Sequence, residues 1–336
     1  MTETVAIMAI IIVKAAVILI ITLTLAAYMV LAERKLLARM QSRFGPNRVG
    51  PFGLLQPLAD VIKLVTKEDI LPKEADRAIF FIAPGIVAGT VLLTFAVVPF
   101  GAPVAICGHL VQMPVIDLNV GVLYFLALSS LGVYGVALAG WSSGSKYSLL
   151  GGIRGSAQMI SYELSMGLSI VPVVMLTGSF SLSDIVAAQH SVPFIVYSPL
   201  GFIVFLISVA AESKRIPYDL PEAENELVAG YHTEYSGMRF GLFYIGEYVN
   251  IIVLSALAIT FFCGGWQGPG PDSLSFFWFF FKSAFIAFFF IWMRGTLPRL
   301  RYDQLMHFGW KFLLPLALFN VLLTAGLALG FGWRVH

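Results

Sequence analysis

Long, nearly uncharged apolar runs set the first constraint on this chain. They fall at about residues 8–31, 79–99, 118–140, 157–177, 195–211, 240–262, 276–293 and 311–332. Each is close to the length that crosses a bilayer as helix. In hydrocarbon every backbone N–H and C=O must find its partner inside the segment, so each run is predicted to be helical. The expected fold class is an all-α polytopic membrane protein, one membrane domain over residues 1–336. Composition agrees: 12% of residues are charged, against about 25% in a soluble domain. Glu3 stands where a signal peptide would be basic, and the first run exceeds an h-region, so it reads as a retained anchor.

Charge sets the expected orientation. Of 21 lysines and arginines, 18 lie in the segments that follow runs one, three, five and seven. The positive-inside rule puts those segments in the cytoplasm and both termini on the periplasmic side. Lys14 and Lys282 lie near outside ends of runs, where a long side chain snorkels to the interface, and are assigned no role. A net charge of +2 gives no reason to expect nucleic acid as a partner. Cys107, Cys263 and the five histidines form no ligand-spaced cluster, so no metal or redox cofactor is expected on the chain itself. The longest inside segment, 32–78, is too short for a soluble domain, and no internal repeat of the transporter kind is found.

Within that segment GPNRVGPFG (45–53) breaks regular structure. Beyond it Leu54, Leu58, Val61, Ile62 and Val65 share one helical face, with Gln56, Asp60, Lys63 and Lys67 on the other. This predicts an amphipathic helix in the membrane interface. Such a helix either anchors the loop or walls a path for an apolar ligand arriving from the bilayer. In the second case Asp60, Arg34, Lys35 and Arg39 are placed to meet a polar head.

Acids inside the runs are costly, about 2.5–3.5 kcal/mol each on insertion scales. Glu163 and Glu247 both lie roughly 10 Å from the inside end of their runs at 1.5 Å per residue, and Glu212 closes run five on the same side. Three acids from three runs at similar depth are expected to share one pocket suited to exchanging protons. The alternative is that each pairs with a basic neighbour for assembly. The inside loop PYDLPEAENELVAGYHTEYSG adds Glu222, Glu224 and Glu226. Glu222 and Glu226 are four apart and would share a helical face, with Glu224 pointing elsewhere. By itself this loop reads as a solvated acidic turn or as the mouth of the same pocket.

GPNRVGPFGLLQPLADVIKL, PYDLPEAENELVAGYHTEYSG, AERKLLARMQ and RGTLPRLRYDQLM together resemble one family across essentially the whole chain. It is the membrane subunit of respiratory complex I called H in bacterial NADH-quinone oxidoreductase and subunit 1 in mitochondria. Tyr218 stands where the family pattern leads one to expect Phe, a conservative departure. The resemblance implies a multi-pass subunit of the bacterial inner membrane that forms much of the channel for ubiquinone or menaquinone. It also implies hydrophilic-arm partners that carry FMN and iron–sulfur clusters, the terminal cluster reducing the quinone head. Other complex I membrane subunits and membrane lipids are further partners. By the same matching, Arg34 and Asp60 belong to the quinone channel. Glu163, Glu212, Glu222, Glu224, Glu226 and Glu247 belong to a buried carboxylate path linking quinone reduction to proton translocation. Two other readings are a related subunit of a proton-translocating hydrogenase or of a ferredoxin- or F420-linked dehydrogenase, and a stand-alone proton-coupled transporter.

Overall fold

A computed structural model describes residues 2–106, 109–111, 113–271 and 274–331. Cys107 therefore lies outside the described residues. Among the described residues, seven helices are long and apolar enough to cross a membrane. α1 (Thr2–Met40) runs well past the end of the first apolar run, because ERKLLARM is built of strong helix formers. This extension carries Glu33, Arg34 and Lys35 on helix rather than on loop. After a 3₁₀ turn at Pro51–Gly53 comes α2 (Gln56–Thr66), then α3 (Arg77–Phe95). The Asp76 side chain caps α3, accepting from the amides of Ala78 and Ile79 at 3.1 and 3.3 Å. A short antiparallel hairpin pairs β1 (Val104–Ile106) with β2 (His109–Val111).

α4 (Gly121–Ser142) and α5 (Lys146–Thr177) follow, and α5 begins well before its apolar run. The early turns hold GGIRGSAQ, a poor helix sequence in isolation. Close packing accounts for them. A Cβ on Gly140 would stand 2.5 Å from Ser148 O and 3.0 Å from Gly152 Cα, so the glycines let α4 and α5 touch backbone to backbone.

The run predicted at 195–211 is not one continuous helix. α6 (Leu182–Ala188) and the single turn α7 (Phe194–Tyr197) precede α8 (Pro199–Glu212). Ser198 at φ −137°, ψ 64° and Pro199 after it break the helix. α8 is 14 residues long, about 21 Å at 1.5 Å per residue, short of the roughly 30 Å hydrocarbon core. Its neighbours, α5 foremost, cover most of it, and Ile203 stays exposed.

The chain then turns through residues 213–236, which include α9 (Glu224–Leu227) and a 3₁₀ turn at Gly230–His232, into α10 (Gly237–Phe262). α11 (Ser275–Thr296) and α12 (Tyr302–His307) follow. A π-helical turn at Phe308–Leu313 joins α12 to α13 (Leu314–Phe331). α10 lies at the centre, packed on α3, α1 and α11, while α5 joins α4, α8 and α13. α11 turns Phe277, Phe281, Phe285 and Trp292 outward, as lipid contact requires.

The four basic connections meet at one end of the bundle. Ile70 N donates to Ser236 Oγ at 2.9 Å, Asp76 N to Ser142 O at 3.0 Å, and Leu300 N to Pro217 O at 3.1 Å. Arg239 pairs with Asp69 at 2.9 Å. Segment 213–223 is buried along most of its length rather than solvated. Irregular backbone at such depth is tolerated because protein, not lipid, surrounds it. At the opposite end Lys282 Nζ does not simply reach outward. It donates to Cys263 O (2.8 Å), Gly265 O (3.2 Å) and Gln267 O (2.5 Å), holding together the turn that follows α10. Lys14 donates to Pro114 O.

Gly230 holds the buried loop against α5 at φ +59°, and a Cβ there would lie 1.7 Å from Pro221 O. Gly230→Ala is expected to lower the thermal stability of the detergent-solubilised protein by about 1–3 kcal/mol or more. Gly167→Ala meets nothing within 4 Å and should leave stability unchanged or slightly raised. Equal melting temperatures for the two variants would refute this account of the loop.

Candidate functional site

α8 ends at Glu212, and the buried loop after it places Lys214 and Arg215 in the protein interior. Glu247, on α10, is 4% exposed and takes contacts from three directions. Arg215 Nη2 lies 3.1 Å from its Oε2, Tyr231 Oη donates to its Oε1 at 3.1 Å, and the Glu222 carboxyl hydrogen-bonds it. Arg215 also faces Glu33 of α1, with Nη1 4.0 Å from Oε1, and Glu33 is ion-paired with Arg294 of α11. The guanidinium of Arg215 stacks over the Tyr248 ring at 4.5 Å and stands 5.8 Å from that of Tyr244. A row of alternating charge, Arg294–Glu33–Arg215–Glu247, thus ties α11, α1, the loop and α10 together.

Electrostatics of the loop groups follow from burial and these neighbours. Burial pushes the Glu222 carboxyl well above its ordinary range, and the Glu247 charge and hydrogen bond push it the same way. Glu222 therefore holds a proton and donates it to the Glu247 carboxylate. Burial also opposes the Arg215 charge, but Glu247 foremost outweighs it and raises the pKa, so Arg215 is a permanent cation. The Tyr231 phenol is pushed up by burial and then by Glu247 and Glu222, which keeps it a donor.

Glu212 and Glu247 line one internal cavity of about 30 Å³ together with Lys214, Ser129, Thr90, Thr94 and Asn250. That is room enough for ordered water with polar partners. Ser129 hydrogen-bonds Glu212, and the next residue, Ser130, donates to Glu163 Oε1. The structure thus gathers Glu163, Glu212, Glu222 and Glu247 from α5, α8, the loop and α10 around one region.

Two predicted acids stand apart. Glu224 belongs to α9, and its side chain lies outside what is described. Glu226 is half exposed and paired with Arg154 of α5; the hydrogen bond from Arg154 holds its carboxyl below the usual range. The expected shared face of Glu222 and Glu226 does not form. Ala223 adopts a left-handed conformation (φ 39°), so helix starts only at Glu224 and Glu222 precedes it.

Asp60 accepts from Arg34 Nη1 at 2.7 Å and from Gln56 Nε2 at 3.0 Å, pinning α2 to α1. The orientation of α2 matches its amphipathic pattern. Gln56, Asp60 and Leu64 turn towards the bundle, while Leu58, Val61, Ile62 and Val65 are uncovered.

Sequence reasoning does not single out Glu33, Lys214, Arg215, Arg294 or Tyr231. The first four lie among charges that mark helix ends. What distinguishes them is tertiary: a loop that folds inward instead of into water. The one local signal is SKRIP, two cations between a short apolar run and a proline.

Comparison with known proteins adds a family. Residues 13–325 match the family described as NADH dehydrogenase. The H subunit numbered 2 of the NADH-quinone oxidoreductase of Geobacter sulfurreducens is 68% identical over 311 residues, covering 93% of this chain and 94% of the relative. The H subunit numbered 1 of Geobacter metallireducens shows the same identity and coverage. The corresponding H subunit of Syntrophotalea carbinolica is 60% identical over 325 residues, 97% of this chain and 98% of the relative.

Two substitutions test the charge row. Arg215→Met leaves Glu33 and Glu247 buried beside a lost partner, and should destabilise the solubilised protein by about 3–5 kcal/mol. An unchanged melting temperature would contradict the pairing. Glu222 has a raised pKa in the folded protein, so its contribution to stability falls as pH rises from the ordinary carboxyl range towards that value. Glu222→Gln mimics the protonated acid, and should flatten this decline in melting temperature as pH rises above the ordinary carboxyl range. Parallel profiles for variant and parent would show that Glu222 is ionised throughout.

Proposed function

The chain belongs to the H-subunit family of NADH-quinone oxidoreductase, a multi-pass membrane subunit of an oxidoreductase complex, and on that footing we propose that it couples quinone reduction to proton translocation. In this reading the protein sits in the bacterial inner membrane with the loop 213–236 facing the cytoplasm. The partners are hydrophilic-arm subunits carrying FMN and iron–sulfur clusters, with further membrane subunits alongside. The observation that carries the reading is the run of carboxyls from Glu222 and Glu247 past Glu212 to Glu163, buried at Glu247 and Glu212 and half-buried at its two ends, with an arginine held permanently charged beside it.

The quinone route is assigned to the side of α2. Its uncovered apolar face offers a surface to an isoprenoid tail, and the Arg34–Asp60 pair offers polar contacts to a head group. The work of this chain's residues is electrostatic. Reduction of quinone to quinol takes two electrons from the hydrophilic arm and two protons from groups around the head, which stand more negative until they are reprotonated. The changed charge there alters the energy of Arg215 and Glu33, which are linked to Glu247 through the charge row. Glu247 then binds or releases a proton shared with Glu222, and Glu212 and Glu163 pass the change onward to the membrane arm. Buried charges interact strongly because little water screens them. Glu224 and Glu226 are assigned to the outer mouth of this path, Arg154 holding Glu226 ionised there.

Replacing Glu212 or Glu247 with Gln removes a titrating group and keeps the shape. Each variant should lower quinone-dependent NADH oxidation and proton pumping of the assembled complex by about tenfold or more. Wild-type values for both activities in both variants would sink the proposal.

A further inference from the structure

Two successive cations follow α8, and the backbone sends them to different places. Lys214 has φ +54°, a left-handed conformation that non-glycine residues adopt only at a cost. The turn directs Arg215 to Glu33, Glu247 and Tyr248. It directs Lys214 to the wall of the internal cavity, its ammonium 5.6 Å from the centre of the Tyr231 ring.

The carboxyls on that cavity have different neighbours. Glu212 interacts electrostatically with Lys214 and with Glu163 of α5. Glu247 interacts with Arg215, Lys214 and His232, and is hydrogen-bonded with Glu222. Lys214 stands in both sets and also faces Glu222, which in turn feels Asp219. It is therefore the charged side chain that connects the Glu222–Glu247 pair on one side with Glu212 and Glu163 on the other.

Resting on the proposed coupling role, we infer that Lys214 is the proton-exchanging link between the Glu222–Glu247 pair and Glu212. In the first step the Glu222 carboxylic acid gives its proton to the neutral Lys214 amine, leaving a carboxylate and an ammonium. In the second the ammonium gives a proton to the Glu212 carboxylate, restoring the amine and leaving Glu212 protonated. One proton moves and no electron does. Water in the cavity is able to carry the second transfer, since Lys214 and Glu212 both line it. Arg215 cannot serve this way, because a guanidinium does not deprotonate in a protein. A lysine shifts its pKa readily on burial, and burial does pull Lys214 below its ordinary range while Glu247, Glu212 and Glu222 oppose it.

The test compares K214R and K214M in the intact complex, reconstituted in vesicles. Both replacements are unbranched and share the same backbone conformation, so its cost is common to them. K214R keeps the charge and loses the ability to cycle; K214M loses both. The expected result is an assembled complex in which proton translocation falls about tenfold or more in each variant. The pH profile of pumping should also lose the limb that the wild type owes to Lys214. Wild-type pumping and pH profile in K214R would make Lys214 a fixed counter-charge and overturn the inference. Wild-type pumping in both variants would make it a bystander, and failure of both to assemble would make its role structural; either outcome also overturns it. Loss of pumping in Glu247→Gln alongside intact K214R would reject the lysine link alone. Intact pumping in all of these variants would reject the carboxylate path itself.

Discussion

The guanidinium of Arg215 is the contact on which the rest of this structure depends. It sits 6% exposed between Glu33 and Glu247, in a region where an unpaired charge would cost several kcal/mol. Its position fixes that of the loop after α8. The loop in turn closes the gap between α1, α10 and α11 and brings Glu222 onto Glu247. Van der Waals packing draws these helices together, but it does not specify which polar faces meet. The alternating charges supply that register, since any slip leaves one of them without a partner.

Much of the architecture was legible in the sequence because a bilayer imposes a one-dimensional rule. Apolar length predicts spans, and the distribution of basic residues groups the loops that the structure finds at one end. The rule does not set helix limits where protein replaces lipid as the surroundings. Residues 195–211 satisfy the hydropathy pattern, yet Ser198 and Pro199 break them and α5 shelters the remaining 14-residue helix. GGIRGSAQ lacks helix propensity and is helical, because close approach to Gly140 and to the 213–236 loop outweighs local preference.

The candidate site divides in the same way. Glu163, Glu212 and Glu247 stood out because a carboxyl in an apolar run is conspicuous, and depth along the helix was enough to group them. Glu33, Lys214, Arg215 and Arg294 were hidden in plain view, since charges at helix ends are ordinary. Spacing misled at Glu222 and Glu226: an i, i+4 pair requires helix between, and the left-handed turn at Ala223 removes it. The amphipathic pattern of α2 did read correctly in periodicity, and the Arg34–Asp60 pair explains which side turns inward.

The shortness of α8 carries an electrical consequence. At about 21 Å it stops short of the roughly 30 Å hydrocarbon core, and the residues that follow it, Ser213, Lys214 and Arg215, are enclosed by protein rather than by water. Dissolved ions screen exposed charges over about 10 Å at 0.1 M salt, and buried pairs far less. The charges that follow α8 therefore answer to one another and hardly to the ionic strength of the medium.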